Sequence, residues 1–334
     1  MKRDLDLTEE EREISRTMER FAGDHAGAAL AHERAGRFPL EAWKRLAELG
    51  VLALGAAQSE GGAGEIAAAM EPLGACAFPG PLVATFVAGR LVDDDERARI
   101  ASGDPIASIG CPPLFAWADV ADRFVVVGEG AVWIARARGD VSARVECVAT
   151  LGGEPFGEAL LGERTRIADA IASVALDLGD IALAAYLVGA GVRLVEAASE
   201  HARTRVQFGR AIGDFQAVAH PLASAAMRLR AARALVRHAA RAWREAFEPA
   251  RARGAAAPAA RVVAAAAASA AAARLSATRA ALDAAAAATQ TFGALGVMAE
   301  GPVFPLSRRI RHLASAMPGR DRSHKAVLAR LEGP

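Results

Sequence analysis

The sequence predicts an α+β protein that is mostly helical, with strands confined to one short central region. From about residue 165 onward, apolar positions recur three or four apart, which is the spacing of one helix face. Short β-type runs occur instead at Phe124–Val127 and Val132–Ala135. We therefore predict an N-terminal α-helical domain over 1–104, a small β-domain over 105–164, and a C-terminal antiparallel helical bundle over 165–334.

Helix start signals recur in the first hundred residues. Thr8 followed by Glu11 is the capping-box pattern that begins a helix. The apolar face that follows it is formed by Ile14, Met18 and Phe21. Pro39 predicts the start of a second helix, with Trp43 and Leu46 on its buried side. Residues 65–73 suit a third, shorter helix.

The two β-type runs are separated by Gly128-Glu129-Gly130, a spacing that predicts a β-hairpin. Residues 141–148 alternate loosely between apolar and polar side chains and predict a further strand.

Residues 255–289 consist mainly of alanine, which is compatible with a low-complexity linker or with a helix. Alanine has the highest helix propensity of all residues, and Pro258 suits a helix start. The larger apolar residues Val262, Val263, Leu275 and Leu282 lie roughly on one helical face. We favour a tightly packed bundle helix.

Charge and composition exclude several classes of function. The formal net charge of +1 gives no reason to expect nucleic acid or membrane partners. The acidic N-terminus lacks the apolar core of a signal peptide, and three prolines interrupt the uncharged stretch 72–89. Three cysteines without metal-ligand spacing indicate reduced thiols, a cytoplasmic location and no metal site: Cys76, Cys111 and Cys147.

The most informative stretch is 203–220, which contains RTRVQFGRAIGDFQAVAH. Gly209 and Gly213 break the helical pattern, so the stretch is predicted to be a turn between two helices. Arg205 lies close to Gln207 and Phe208, a combination that suits a planar ligand bearing phosphate groups. The alternative is a helical hairpin with solvated arginines and phenylalanines in the core.

Residues 205–220 resemble the signature of the acyl-CoA dehydrogenase family, with the pattern Arg-x-Gln-Phe-Gly-Arg-x-Ile-x-x-Phe-Gln-Ala-Val-x-His. A second segment, TQTFGALG at 289–296, is similar to the family's Gln-x-x-Gly-Gly-x-Gly turn, with Ala294 replacing a glycine. The resemblance implies a short bacterial type of acyl-CoA dehydrogenase that binds FAD, oxidises an acyl-CoA in acyl-CoA degradation and passes electrons to an electron-transfer acceptor.

The resemblance also implies which residues contact FAD. Arginine lies near the pyrophosphate in the family, and Gln216 matches a contact to the adenosine half. The glutamine turn meets FAD from a neighbouring subunit, which implies a homodimer, a homotetramer or a heteromer with a second acyl-CoA dehydrogenase chain. The positions that match are Arg205, Gln207, Phe208, Gln216, Gln290, Gly293 and Gly296.

In the family, a glutamate removes a proton from the carbon next to the thioester carbonyl, and the adjacent carbon gives a hydride to the flavin. Most members place this glutamate just before a glycine near the C-terminus, but residues 308–319 contain no carboxylate. A minority place it on the first bundle helix, where this sequence has Gly179. The candidates that remain are Asp321 and, as an alternative, Asp180.

Two further differences from the family bear on function. The predicted β-domain is short, and Cys111-Pro112-Pro113-Leu114 takes the approximate place of the loop that contacts the flavin ring. A basic cluster at 308–312 suits either the phosphates of a cofactor or a solvated helix face. Neither family position of the base holds a carboxylate. A non-catalytic partner subunit of a heteromer is therefore the alternative to an enzyme. A helical scaffold without flavin is a third interpretation.

Overall fold

The computed structural model describes residues 7–35, 37–54, 62–128, 130–138, 147–150, 152–252, 259–316, 318 and 320–332. Its elements follow the predicted order of helices, strands and helices, so the α+β, mostly helical class is confirmed. The bounds of the three domains stay a prediction.

The N-terminal helices form where the start signals predict them. Thr8 and Glu11 make both bonds of the capping box: the Thr8 N–H donates to Glu11 Oε2 at 2.9 Å, and the Glu11 N–H donates to Thr8 Oγ1 at 3.1 Å. The helices are α1 Glu9–Arg34, α2 Leu40–Glu48, α3 Ala63–Ala75, α4 Leu82–Leu91 and α5 Asp94–Ala101, with a 3-10 turn at Val51–Ala53.

The strands form a seven-stranded mixed sheet in the order β5-β6-β2-β1-β3-β4-β7. The predicted hairpin is β3 with β4, where Val127 pairs with Val132. Most of the strand predicted over 141–148 lies outside the described residues. The strands are β1 Ala107–Cys111, β2 Leu114–Ala116, β3 Arg123–Gly128, β4 Ala131–Ala137, β5 Val148–Ala149, β6 Pro155–Glu158 and β7 Leu161–Arg166.

The C-terminal bundle is built on three helices of 33 to 37 residues. Leu229 of the second helix reaches Gly191 of the first, so the second runs back along the first. The elements are α6 Asp169–Thr204, β8 Val206–Gln207, β9 Arg210–Ala211, a 3-10 turn Ile212–Asp214, α7 Gln216–Ala252, α8 Ala260–Phe292, α9 Ala294–Val297, α10 Phe304–Ala316 and α11 Arg320–Glu332.

The alanine-rich segment is a bundle helix, α8, as favoured from its sequence. Its buried face differs from the predicted one. Val262 is 37% exposed, and Leu282 is only partly buried. Alanines form the buried face of α8 instead, since only a short side chain fits where α6 and α8 approach closely. The buried alanines are Ala266, Ala270, Ala271, Ala273, Ala277, Ala280, Ala281, Ala284, Ala285 and Ala288.

Helix α6 is the centre of the core. It is long and apolar enough to cross a membrane by composition, but 78% of its most apolar window is buried inside the fold. Glycines allow α3 to lie directly against it. A Cβ on Gly189 would lie 1.8 Å from the Glu71 carbonyl oxygen, and one on Gly74 would lie 2.0 Å from the Tyr186 carbonyl oxygen.

Substitution of Gly189 by Ala should therefore destabilise the fold, because the new methyl group would push α3 away from α6. We expect a loss of about 1–3 kcal/mol in the free energy of unfolding, measured by urea denaturation. Gly89→Ala is the matched control, since a Cβ at this helical glycine meets nothing within 4 Å. Equal stability of the two variants would contradict the close packing of α3 and α6.

A buried ion-pair cluster joins the sheet to α10. Glu154, just before β6, accepts from Arg309 Nη1 at 2.5 Å and lies 3.2 Å from His312 Nε2. Burial alone would raise the pKa of Glu154, but Arg309 and His312 outweigh it and lower this pKa to about 2. Arg309 and His312 belong to the basic cluster at 308–312, and both are buried. Neither side chain therefore faces solvent, and neither is accessible to a phosphate group of a cofactor.

Replacing Glu154 by Gln should lower stability by roughly 3 kcal/mol at pH 7, because the buried Arg309 guanidinium loses its carboxylate. The pKa of Glu154 in the folded state lies below its ordinary value of 4.5. Its contribution is therefore complete above pH 4.5 and is lost as the pH falls toward 2.

Urea denaturation over this pH range should show the difference between wild type and Glu154→Gln shrinking as the pH falls. Glu48→Gln is the control, because Glu48 makes only an exposed ion pair with Arg45. A difference that does not change with pH would contradict the ionic origin of the stabilisation.

Candidate functional site

A cavity of about 630 Å³ lies between the ends of the inner strands β1, β3 and β4 and the starts of α6 and α11. The β3–β4 hairpin forms one wall with small and apolar residues, and the first turns of the two helices form the other. Its lining includes Cys111, Gly128, Val132, Leu176, Asp321 and Arg322.

The cavity brings together two sequence-predicted features that are 210 residues apart along the chain. Cys111 ends β1 and begins the segment that takes the place of the flavin-ring loop. Asp321 lies in the first turn of α11 and is exposed. Within the described part of the chain its carboxylate has no hydrogen bond or ion pair, so it is available to a ligand in the cavity.

Asp180 lies behind the cavity wall, and both of its carboxylate oxygens are occupied. Asp180 is 3% exposed. It accepts from Arg274 Nη1 and from Arg322 Nη2, each at 2.6 Å, and from Ser323 Oγ at 3.2 Å. A carboxylate whose two oxygens are held by these donors is not free to take a proton from a ligand.

Asp177 was not singled out from the sequence, but it belongs to the same group of charges. Its Oδ1 accepts from Arg322 Nη1 at 2.5 Å, and the side chain is 1% exposed. Burial raises the pKa of Asp177 to about 6, although Arg322 acts in the opposite direction. The available sequence signal was two aspartates three apart on a helix that is otherwise apolar, a spacing that places both on one face.

The signature stretch forms a tight hairpin, β8–β9, at the far end of α6. Its two turn residues, Phe208 and Gly209, have φ of 52° and 78°. A positive φ is uncommon for a phenylalanine, and this side chain is also 93% exposed. Arg210 lies over the Phe215 ring at 4.0 Å. The structure therefore presents an aromatic face and guanidinium groups to solvent, and Phe208 does not fill core.

The second motif lies at the same end of the bundle. α8 ends at Phe292, whose ring stacks on His201 of α6 with centroids 4.3 Å apart. Gly293 follows with φ 60°, and a Cβ on Gly296 would lie 2.4 Å from the Thr289 carbonyl oxygen. Ala294, which replaces a family glycine, is accommodated in the short helix α9.

The seven residues matched to cofactor contacts are thus gathered at one end of the helical bundle, and all but Gly296 are exposed there. The cavity lies at the other end of α6. The helix rises 1.5 Å per residue, so Leu176 at the cavity and Thr204 at the hairpin are about 42 Å apart. That distance is well beyond the length of an extended dinucleotide.

The chain matches two family models. Residues 170–330 match the model described as acyl-CoA dehydrogenase, C-terminal domain, and residues 8–92 match the N-terminal domain model. A curated relative, acyl-CoA dehydrogenase IpdE2 of Mycobacterium tuberculosis, is 31% identical over 247 residues, which cover 68% of this chain and 74% of the relative.

Solved structures share the fold over nearly the whole chain. The ChsE4–ChsE5 complex of Mycobacterium tuberculosis aligns with a TM-score of 0.77 at 21% identity and covers 99% of both chains. An FAD complex of PigA aligns with a TM-score of 0.76 at 20% identity, covering 98% of this chain and 99% of PigA.

Proposed function

We propose a function for this chain from one premise, which is that the chain belongs to the acyl-CoA dehydrogenase family. In this proposal it is an FAD-dependent acyl-CoA dehydrogenase that introduces an α,β double bond into an acyl-CoA thioester. It acts in the cytoplasm, within acyl-CoA degradation, and passes electrons to an electron-transfer acceptor. Cys76, Cys111 and Cys147 are all free thiols, which supports a reducing compartment.

The observation that carries the proposal is the shared cavity of Asp321 and Cys111. Asp321 is the general base: its carboxylate takes the proton from the carbon next to the thioester carbonyl. The backbone at Cys111 lies across the same cavity, where it would border the flavin ring. FAD supplies the acceptor for the hydride that leaves the adjacent carbon. Proton and hydride then leave on the two sides of one bound acyl group.

The end of the bundle that carries the β8–β9 hairpin suits the pyrophosphate and adenosine parts of FAD. The Arg205 side chain is exposed and suits the pyrophosphate, while Phe208 offers an uncovered aromatic face. A Cβ at Gly209 or Gly293 would meet nothing within 4 Å, so both turns are open to a ligand. The FAD complex of PigA, which shares the fold, supports the choice of cofactor.

Two chains are needed to complete one site, because about 42 Å separate the cavity from the hairpin of the same chain. The hairpin and glutamine turn of one subunit would meet the FAD held at the cavity of its partner. This arrangement requires a homodimer, a homotetramer or a heteromer with a second acyl-CoA dehydrogenase chain.

A second candidate is a partner subunit that lacks its own base. The observation that favours it is the absence of a carboxylate at both family positions, Gly179 and the residue before Gly319. The ChsE4–ChsE5 structure, which shares the fold, is a complex of two different chains, which supports a heteromer. In that case the second chain would provide the catalytic carboxylate, and this chain would provide contacts to FAD.

Asp321→Asn should abolish turnover while leaving FAD bound, because the amide cannot accept the proton. We expect kcat to fall by about 10²–10⁴-fold, measured as acyl-CoA-dependent reduction of a dye acceptor. Asp95→Asn, at an exposed site in the first turn of α5, is the control. Full turnover by Asp321→Asn would overturn this proposal, because Asp321 would not be the base.

Arg205→Gln should lower the amount of FAD retained after purification, because the guanidinium that pairs with the pyrophosphate is lost. Bound flavin is measured from the visible absorption spectrum after reconstitution and removal of excess FAD. Arg203→Gln is the matched control, since Arg203 forms a surface ion pair with Glu200. Wild-type flavin content in Arg205→Gln would contradict the assignment of the hairpin, and a colourless wild-type chain would favour the partner-subunit candidate.

A further inference from the structure

Four buried or half-buried charges connect α6, α8 and α11 beside the cavity. Arg322 donates from Nη1 to Asp177 and from Nη2 to Asp180, at 2.5 and 2.6 Å. Arg274 donates to the other oxygen of Asp180 at 2.6 Å. Two arginines thus face two aspartates, so the group carries no net charge.

This network holds the chain on both sides of Asp321. On the N-terminal side, Arg274 Nη1 donates to the carbonyl oxygen of Pro318 at 2.8 Å. On the C-terminal side, Arg322 and Ser323 are the next residues along the chain, and both donate to Asp180. All three attachments lie within three residues of Asp321, whose own carboxylate has no partner among the described residues.

The chemistry of the network requires an arginine. Asp177 and Asp180 lie three residues apart on one face of α6, and the guanidinium fork of Arg322 contacts one oxygen of each. A lysine ammonium is a single point charge and would not keep both contacts in this geometry. Burial lowers the pKa of Arg322, but the two carboxylates more than offset this and raise it, so the guanidinium stays charged.

We propose that Arg322 is a positioning residue that sets the place of the catalytic base Asp321, with Asp177 and Asp180 as its anchors. The inference rests on the proposed function, in which Asp321 takes the proton. A general base must lie within hydrogen-bond reach of its proton, and a misplacement of about 1 Å costs about 10²-fold in rate. Asp180 therefore serves the site through Arg322, without touching the substrate.

The test is Arg322→Lys, which keeps the charge and removes the fork. We expect kcat to fall by about 10- to 100-fold, with KM and flavin content unchanged, because only the position of the base is altered. Amide hydrogen exchange over 320–326 should be faster than in the wild type. Arg279→Lys is the matched control, since Arg279 is an exposed arginine of α8 that pairs with Asp283 at the surface.

Ser323→Ala provides a second variant that removes one neutral attachment and keeps the ion pairs. It should accelerate exchange in the same turn to a smaller degree, with a correspondingly smaller loss of kcat. The proposal is overturned if kcat of Arg322→Lys stays within twofold of wild type in an enzyme that Asp321→Asn inactivates. It is also overturned if the kcat loss comes with unchanged exchange. Full turnover by Asp321→Asn is a different result, and it overturns the proposed function itself.

Discussion

The close packing of α6 between α3 and α8 is the constraint on which the rest of the structure depends. Gly74 and Gly189 let α3 approach the backbone of α6, and alanines along α8 do the same on the other side. A helix enclosed in this way is rigid over its whole length. It therefore holds the cavity at its start and the hairpin at its end a fixed distance apart.

That fixed distance keeps the two halves of the proposed site apart within one chain. The cavity offers a carboxylate and a place for a flat ring, whereas the hairpin offers guanidinium groups and an exposed aromatic face. In the proposed arrangement, a second chain supplies the missing half of each site. Exposed apolar side chains at the hairpin end support this arrangement, and they include Val206, Phe208, Leu295, Val297 and Met298.

Local patterns in the sequence predicted the elements and the two motif turns. The capping box at Thr8, the β3–β4 hairpin and the helix in the alanine-rich segment all follow from propensity and spacing within a few residues. The buried face of α8 could not be predicted in this way, because a segment that is mainly alanine shows no difference in hydrophobicity between its faces. The pairing of Asp177 with Arg322 spans 145 residues, and that of Glu154 with Arg309 spans 155. Such pairings depend on the tertiary fold. The sequence places Asp177 and Asp180 on one helix face, but it does not show which arginine pairs with them.

The most direct test of this account is complementation between two inactive chains. Arg205→Gln and Asp321→Asn would be co-expressed with different tags, and mixed oligomers would be purified through both tags. In each mixed pair, one site combines the intact cavity of one chain with the intact hairpin of the other. We predict about half of wild-type activity per mixed dimer. Activity no greater than that of the two parent variants would contradict a site shared between chains.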